Sequence, residues 1–177
     1  MDTRTEAIVQ QLFFQDETGV FAVLDGAAVG DLLTPLYEYQ PEFECLYRGE
    51  LKPDIAEVAP YLVRLEPDSA FTSWVIEQGW GNNWGIFALA NVEFAVLRRH
   101  FRRFLIVHDP DGKPLYFRYY DPRVLRVYLP TCTADELQTI FGPVERFVLA
   151  DEDPSTALRF RLDTAVLKQE KFHLPSS

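Results

Sequence analysis

Residues 98–126 read RRHFRRFLIVHDPDGKPLYFRYYDPRVLR. This segment holds eight of the 17 Lys/Arg and three of the 27 Asp/Glu. Its local balance is +5, against −15 for the remaining residues and −10 for the chain. From Val92 to Phe104, apolar residues recur at Val92, Ala95, Val96, Leu97, Phe101 and Phe104. That spacing approximates a helical stripe, with Arg98, Arg99, Arg102 and Arg103 mostly off it. Cations in the last turn suit the negative end of the helix dipole. Leu105 to His108 is a short apolar run, Asp109-Pro110-Asp111-Gly112 is a turn signal, and Leu115 to Tyr119 is strand-like. Asp121 followed by Pro122 reads as an N-cap with proline at the first helical position, opening a short helix to about Leu129. The segment is therefore a helix, a β-hairpin and a capped helix.

The flanking sequence alternates strands and helices. Thr3 to Phe14 reads as an amphipathic helix with Ile8, Val9, Leu12 and Phe13 on one side. Val20 to Leu24 is an apolar strand ending at Asp25-Gly26-Ala27, and a helix from about Val29 to Tyr37 follows. A strand, a small-residue turn and a helix begin an α/β unit. Phe43 to Tyr47 is strand-like, Pro53 to Val58 a helical turn, and Pro60 opens a strand to Leu65 where its missing amide is tolerated. Ser69 to Gln78 is helical and stops at Gly79. Ile86 to Ala90 is a strand. Thr133 to Ile140 is a helix with a Thr133/Glu136 capping box, ended by Gly142 and Pro143. Val144 to Ala150 and Ala157 to Leu162 are strands, and the polar tail from Lys168 is expected to fray. The expected fold is α/β, with α+β as its variant: a single compact domain whose mixed β-sheet carries helices on its faces. Within it, 1–19 form a packed N-terminal helix, 20–147 the main domain, and 148–177 a C-terminal extension.

Composition narrows the function classes. An apolar content of 47% with 14% aromatics supports a packed core. A net charge of −10 argues against nucleic-acid binding, which needs broad positive potential. No apolar run approaches the roughly 20 residues of a membrane helix, and residues 1–11 lack a signal-peptide core, so no membrane role and a cytoplasmic location are expected. Cys45 and Cys132 lack metal or redox spacing and read as free thiols.

Candidate chemistry is sparse. His100, His108 and His173 form no ligand pair, and no nucleophile turn is legible. The loop Gly79-Trp80-Gly81-Asn82-Asn83-Trp84-Gly85 matches neither a dinucleotide fingerprint nor a phosphate loop. Tryptophans between glycines suit either a packed corner or a protein contact, so Trp80 and Trp84 are candidate partner-binding residues. Asp25 sits at the carboxyl end of a strand, where it either caps the next helix or serves a site. Arg118 and Arg123 flank Asp121, which can cap its helix and take a bidentate guanidinium bond at once. Either both arginines lock that corner or one stays free to grip an acidic partner.

Six blocks in order resemble a known family. They are Leu24-Asp25-Gly26-Ala27; Ala59-Pro60-Tyr61-Leu62-Val63; Gly79-Trp80-Gly81 with Trp84-Gly85; Leu97-Arg98-Arg99-His100-Phe101-Arg102; Phe117-Arg118-Tyr119-Tyr120-Asp121-Pro122-Arg123-Val124-Leu125; and Phe141-Gly142-Pro143-Val144. From about Val20 to Phe147 the chain resembles the adaptor chaperones of the bacterial type VI secretion system. The resemblance implies a non-enzymatic protein that binds a secreted effector and helps load it onto the VgrG spike protein. It implies no catalytic residue, cofactor or metal. Many such adaptors carry a further C-terminal lobe, whereas 148–177 follow the shared region here. The partner-binding candidates are then Trp80, Trp84, Arg98, Arg99, Arg102, Arg103, Arg118 and Arg123. Asp25, Gly26, Pro60, Asp121, Pro122, Gly142 and Pro143 are structural. The alternative from another class is an enzyme or binding module for an anionic small molecule, with Arg118 and Arg123 as clamp and His100 as acid/base.

Overall fold

The computed structural model describes residues 2–14 and 18–176. Its centre is β1 (Gly19–Asp25), which pairs with β3 (Pro60–Leu65) on one side and β4 (Gly85–Ala90) on the other, both antiparallel. Beyond β3 lies β2 (Phe43–Cys45). Beyond β4 lie β7 (Arg146–Ala150), β8 (Thr156–Asp163) and β9 (Val166–His173). The order is β2-β3-β1-β4-β7-β8-β9, and every pairing is antiparallel.

The expected α/β class stands, and the antiparallel pairing gives it the α+β form. Helical crossovers coexist with this pairing because each passes over one strand. The chain leaves β1 through α2 (Gly26–Val29) and α3 (Leu33–Tyr39) and enters β2, skipping the place taken by β3. After α4 (Pro53–Val58) and β3, α5 (Ala70–Gly79) carries it across β1 to β4. Strands of like direction thus flank one of opposite direction.

The continuous apolar run of β1 follows from burial on both faces. Phe21 and Val23 point into one core with Ile86, Ala88, Phe147 and Leu149. Val20, Ala22 and Leu24 point into the other with Val63, Phe87 and Leu89. The first core is covered by α6 (Phe94–Arg102), α7 (Pro122–Tyr128) and α8 (Ala134–Phe141), through Leu97, Phe101, Leu125 and Ile140. The second is covered by α1 (Thr3–Leu12), α3 and α5, through Ile8, Leu12, Leu36 and Phe71. The result is a helix–sheet–helix sandwich. A short hairpin of β5 (Ile106–His108) and β6 (Pro114–Tyr116) stands apart from the sheet.

Local chemistry sets the boundaries. Asp2 caps α1 by accepting from Thr5 N at 2.7 Å, and Ser69 caps α5. The capping box of α8 is complete: Thr133 N donates to Glu136 Oε2 at 2.7 Å, and Glu136 N to Thr133 Oγ1 at 3.3 Å. Gly142, at φ 48°, then ends α8 with its N–H on the Gln138 carbonyl, and Pro143 follows. Pro60 is the first residue of β3. Gly26 is required sterically: a Cβ there would lie 2.5 Å from Glu57 O and 2.7 Å from Ala59 O.

Two expectations are corrected. The single helix over 29–37 is two short ones, because Gly30 at φ 84° interrupts it. The tail from Lys168 is not frayed as far as His173, since Val166–His173 form the edge strand β9. Its charges are answered across the ladder. Arg159 and Arg161 both reach Glu170, and the Arg159 guanidinium lies 4.5 Å over the Phe172 ring. The turn into β9 is Thr164-Ala165, with φ 49° and 63°. Those left-handed positions ordinarily draw Asn-Gly, so no turn signal marks the hairpin.

The double substitution Thr164→Asn/Ala165→Gly should therefore stabilise the protein by about 1 kcal/mol, raising the melting temperature by about 2–4 °C. A thermal melt followed by circular dichroism checks this.

Candidate interaction surface

The segment 117–123 folds into a corner that docks on the end of β1. Tyr119 is buried; its ring stacks on Phe101 at 5.7 Å and its hydroxyl donates to Phe101 O at 3.0 Å. Burial pushes that phenol well above its ordinary range, so it stays a neutral donor. Asp121 is buried and does what its place before Pro122 suggests. Its Oδ1 accepts from Arg123 N at 2.9 Å, and its two oxygens take Arg123 Nε and Nη2 at 3.0 and 2.8 Å. Burial alone would raise the carboxyl, but the Arg123 hydrogen bonds and charge outweigh it and hold the group below the usual carboxylate range.

Arg118 turns the other way. Its Nη2 donates to Oδ2 of Asp25, 93 residues distant in sequence. The Asp25 residue is 1% exposed, and its Oδ1 caps α2 by accepting from Ala27 N at 3.1 Å. Both arginines are held by a carboxylate, Arg123 by Asp121 within the corner and Arg118 by Asp25 outside it. Their side chains remain about half exposed (48% and 58%).

The arginines of α6 divide by helical phase. Arg98 and Arg102 lie one turn apart and face β2. Arg98 Nη1 is 3.0 Å from Glu44 Oε1, and Arg102 Nη2 donates to Cys45 O at 2.7 Å. Arg99 and Arg103 form the next row and are exposed; among the described residues no acidic group lies within ion-pair distance of either. The row spacing follows from 3.6 residues per turn.

Trp80 and Trp84, candidates for partner contact, are half-buried and engaged internally. Trp80 stacks on Phe87 at 6.1 Å and donates to Pro154 O at 2.9 Å. Trp84 packs on Trp74 at 4.9 Å, and its carbonyl accepts from Asp25 N at 2.7 Å. A Cβ on Gly79 would lie 2.8 Å from Trp84, so that glycine is what lets the ring close on the helix end. The loop is the packed corner that was one of its two readings.

His100 does not join Arg118 and Arg123. It is buried, its Nε2 donates to Ile140 O at 2.8 Å, and its ring lies where a Cβ on Gly142 would clash at 2.5 Å. Burial lowers its pKa from 6.5, keeping it neutral. A clamp-and-base pocket from these three side chains is not formed. Among the described residues no group of three or more His, Cys, Asp or Glu is placed to hold a metal ion, and no helix is long and apolar enough to cross a membrane.

The surface missed by sequence reading lies beside the β5–β6 hairpin. The Ile106–Tyr116 pair forms one face and Val107–Leu115 the other. All four are exposed, Tyr116 to 73%. A groove of about 440 Å³ runs between the first pair and the segment before α4, floored by Leu46 and Leu105 and flanked by Arg48 and Arg103. A second groove of about 300 Å³ borders Val107, with Asp135 and Glu136 at its edge. The signal available in sequence was a two-stranded ribbon apolar on both faces, which a hairpin outside the sheet cannot bury.

A family model described as a domain of unknown function (DUF4123) matches residues 20–139. The first five motif blocks fall within that span, and Phe141 to Val144 lies beyond it. No curated protein and no solved structure matches the chain.

Two measurements test this geometry. Asp121→Ala should cost about 1–2 kcal/mol by removing a helix cap and an ion pair, and Arg118→Ala about 1–3 kcal/mol by stranding the buried Asp25 carboxylate, whereas Arg99→Ala should stay within about 0.5 kcal/mol. Urea denaturation resolves these differences. A neutral buried His100 binds its proton less well folded than unfolded, so stability falls as pH drops below about 6.5. The melting temperature should decline from about pH 7.5 to 5.5, and His100→Gln, which keeps a donor for Ile140, should flatten that decline.

Proposed function

We propose that this chain, which belongs to the DUF4123 family, is a non-enzymatic adaptor that holds a secreted effector of a type VI secretion system and helps load it onto the VgrG spike. The carrying observation is the division of the α6 arginines. Arg98 and Arg102 are consumed in fixing β2, while Arg99 and Arg103 are exposed on an acidic body and have no carboxylate partner among the described residues. Unneutralised cations on a rigid helix, next to an exposed apolar ribbon, suit recognition of another polypeptide. Such charges steer encounter and exclude unsuitable partners more than they supply raw affinity. The order of the motif blocks, most of them inside the family span, supports the same reading.

Affinity purification of the tagged full chain from its native host should recover a secreted toxin and the spike protein, identified by mass spectrometry. Recovery of neither overturns the reading. Arg99→Glu/Arg103→Glu should reduce effector recovery at least several-fold with the melting curve unchanged within error.

A further inference from the structure

The groove beside Ile106 and Tyr116 stands out because its lining contains Arg48, Arg102 and Arg103 and no acidic side chain, in a chain with 27 Asp/Glu. Its floor is apolar: Leu46 and Leu105 are buried beneath it. Its walls are apolar and exposed, with Ile55 at 41%, Ile106 at 48% and Tyr116 at 73%. Tyr116 is propped by Tyr47, ring to ring at 6.1 Å. Arg102 is fastened to the Cys45 carbonyl, which leaves Arg48 and Arg103, both exposed, as the charges a ligand would meet.

Accepting the adaptor reading, we infer that this groove is the effector-docking site and that it takes an acidic amphipathic segment of the effector. Two or three neighbouring apolar side chains of that segment lie between Tyr116 and Ile55, and its carboxylates meet Arg48 and Arg103. Charge selects this occupant. A basic segment would be repelled by three guanidinium groups here and drawn to the acidic remainder of the surface. An acidic one is repelled by the remainder and finds its counter-charge in the groove. The second groove, edged by Asp135 and Glu136 on the other face of the same hairpin, has the opposite preference. The ribbon therefore separates two faces of unlike charge and sets the side from which the segment enters. Apolar residues at successive helical turns laid into an open groove are an established mode of peptide recognition.

The test places a photo-crosslinking benzoylphenylalanine at Tyr116, Leu115 or Val166 of the full chain in its native host. The crosslinked effector peptide is then mapped by mass spectrometry. Tyr116 should crosslink, and the mapped segment should carry more Asp/Glu than Lys/Arg. Capture of the same effector should fall at least tenfold in Arg48→Glu/Arg103→Glu, but less than threefold in Lys113→Glu/Lys168→Glu, which changes net charge equally away from the groove. A basic segment, crosslinks from Leu115 or Val166 with none from Tyr116, or equal loss in both charge variants overturns the groove assignment. In each of those outcomes the effector is still captured by the unsubstituted chain, so the adaptor reading survives; it fails only if no secreted protein is held at all. The crosslinking arm stands even if a charge variant does not fold.

Discussion

A carboxyl side chain with 1% exposure must have its oxygens met by donors from the protein, and Asp25 receives two. The amide of Ala27 uses one oxygen and the guanidinium of Arg118 the other. Removing a charge from water is expensive unless its lone pairs are met, and here the partners come from separate parts of the chain. The pairing sets the 117–123 corner against the end of the central strand. With that corner in place, Tyr119 stacks beneath α6, Asp121 starts α7, and the helices covering one face of the sheet are seated.

Helix α6 serves as scaffold and presenting surface at the same time. One row of its arginines is bound to the edge strand β2 at Glu44 and the Cys45 carbonyl, which stops the helix from rolling. The next row points outward from a helix whose orientation is thereby set. Cations on a mobile loop would lose ordering entropy on engaging a partner; on a packed helix that loss is small. The fixed frame extends to the groove, because Arg102, one of the anchoring residues, also lines it.

Charge segregation gives the surface a direction. The chain carries a net charge of −10, yet the groove beside the hairpin is lined by Arg48, Arg102 and Arg103 and by no acidic residue. An exposed apolar ribbon is an aggregation hazard in a protein without a use for it. Its position between a basic groove and an acidic one is consistent with a surface that is covered in use, which is the condition the adaptor reading supplies.

Much of the architecture was readable from residue order. The helix starts at Asp121 and Thr133 are local chemistry, so a cap followed by a periodic stripe located them, whereas the first helix and the one opening at Ser69 were read from their stripes and their caps, Asp2 and Ser69, appear only in the structure. The β1, β3 and β4 runs were recognisable because burial on both faces demands unbroken apolar sequence. The Thr164-Ala165 turn was invisible because residues in left-handed conformations without glycine or asparagine leave no signature, so β9 went unread. At the candidate site, the abundance and clustering of the arginines, and the two roles of Asp121 next to its own helix, were determined by sequence alone. Which arginine is tied down and which is left exposed without an ion pair among the described residues was decided only by tertiary structure. Arg118 finds its carboxylate 93 residues away, Arg102 finds a carbonyl 57 residues away, and the groove forms from three separate segments. Short-range hydrogen bonding depends on neighbours in the chain and can be read there. Neutralisation of a charge depends on distance in space, which only the packed sheet and helices establish.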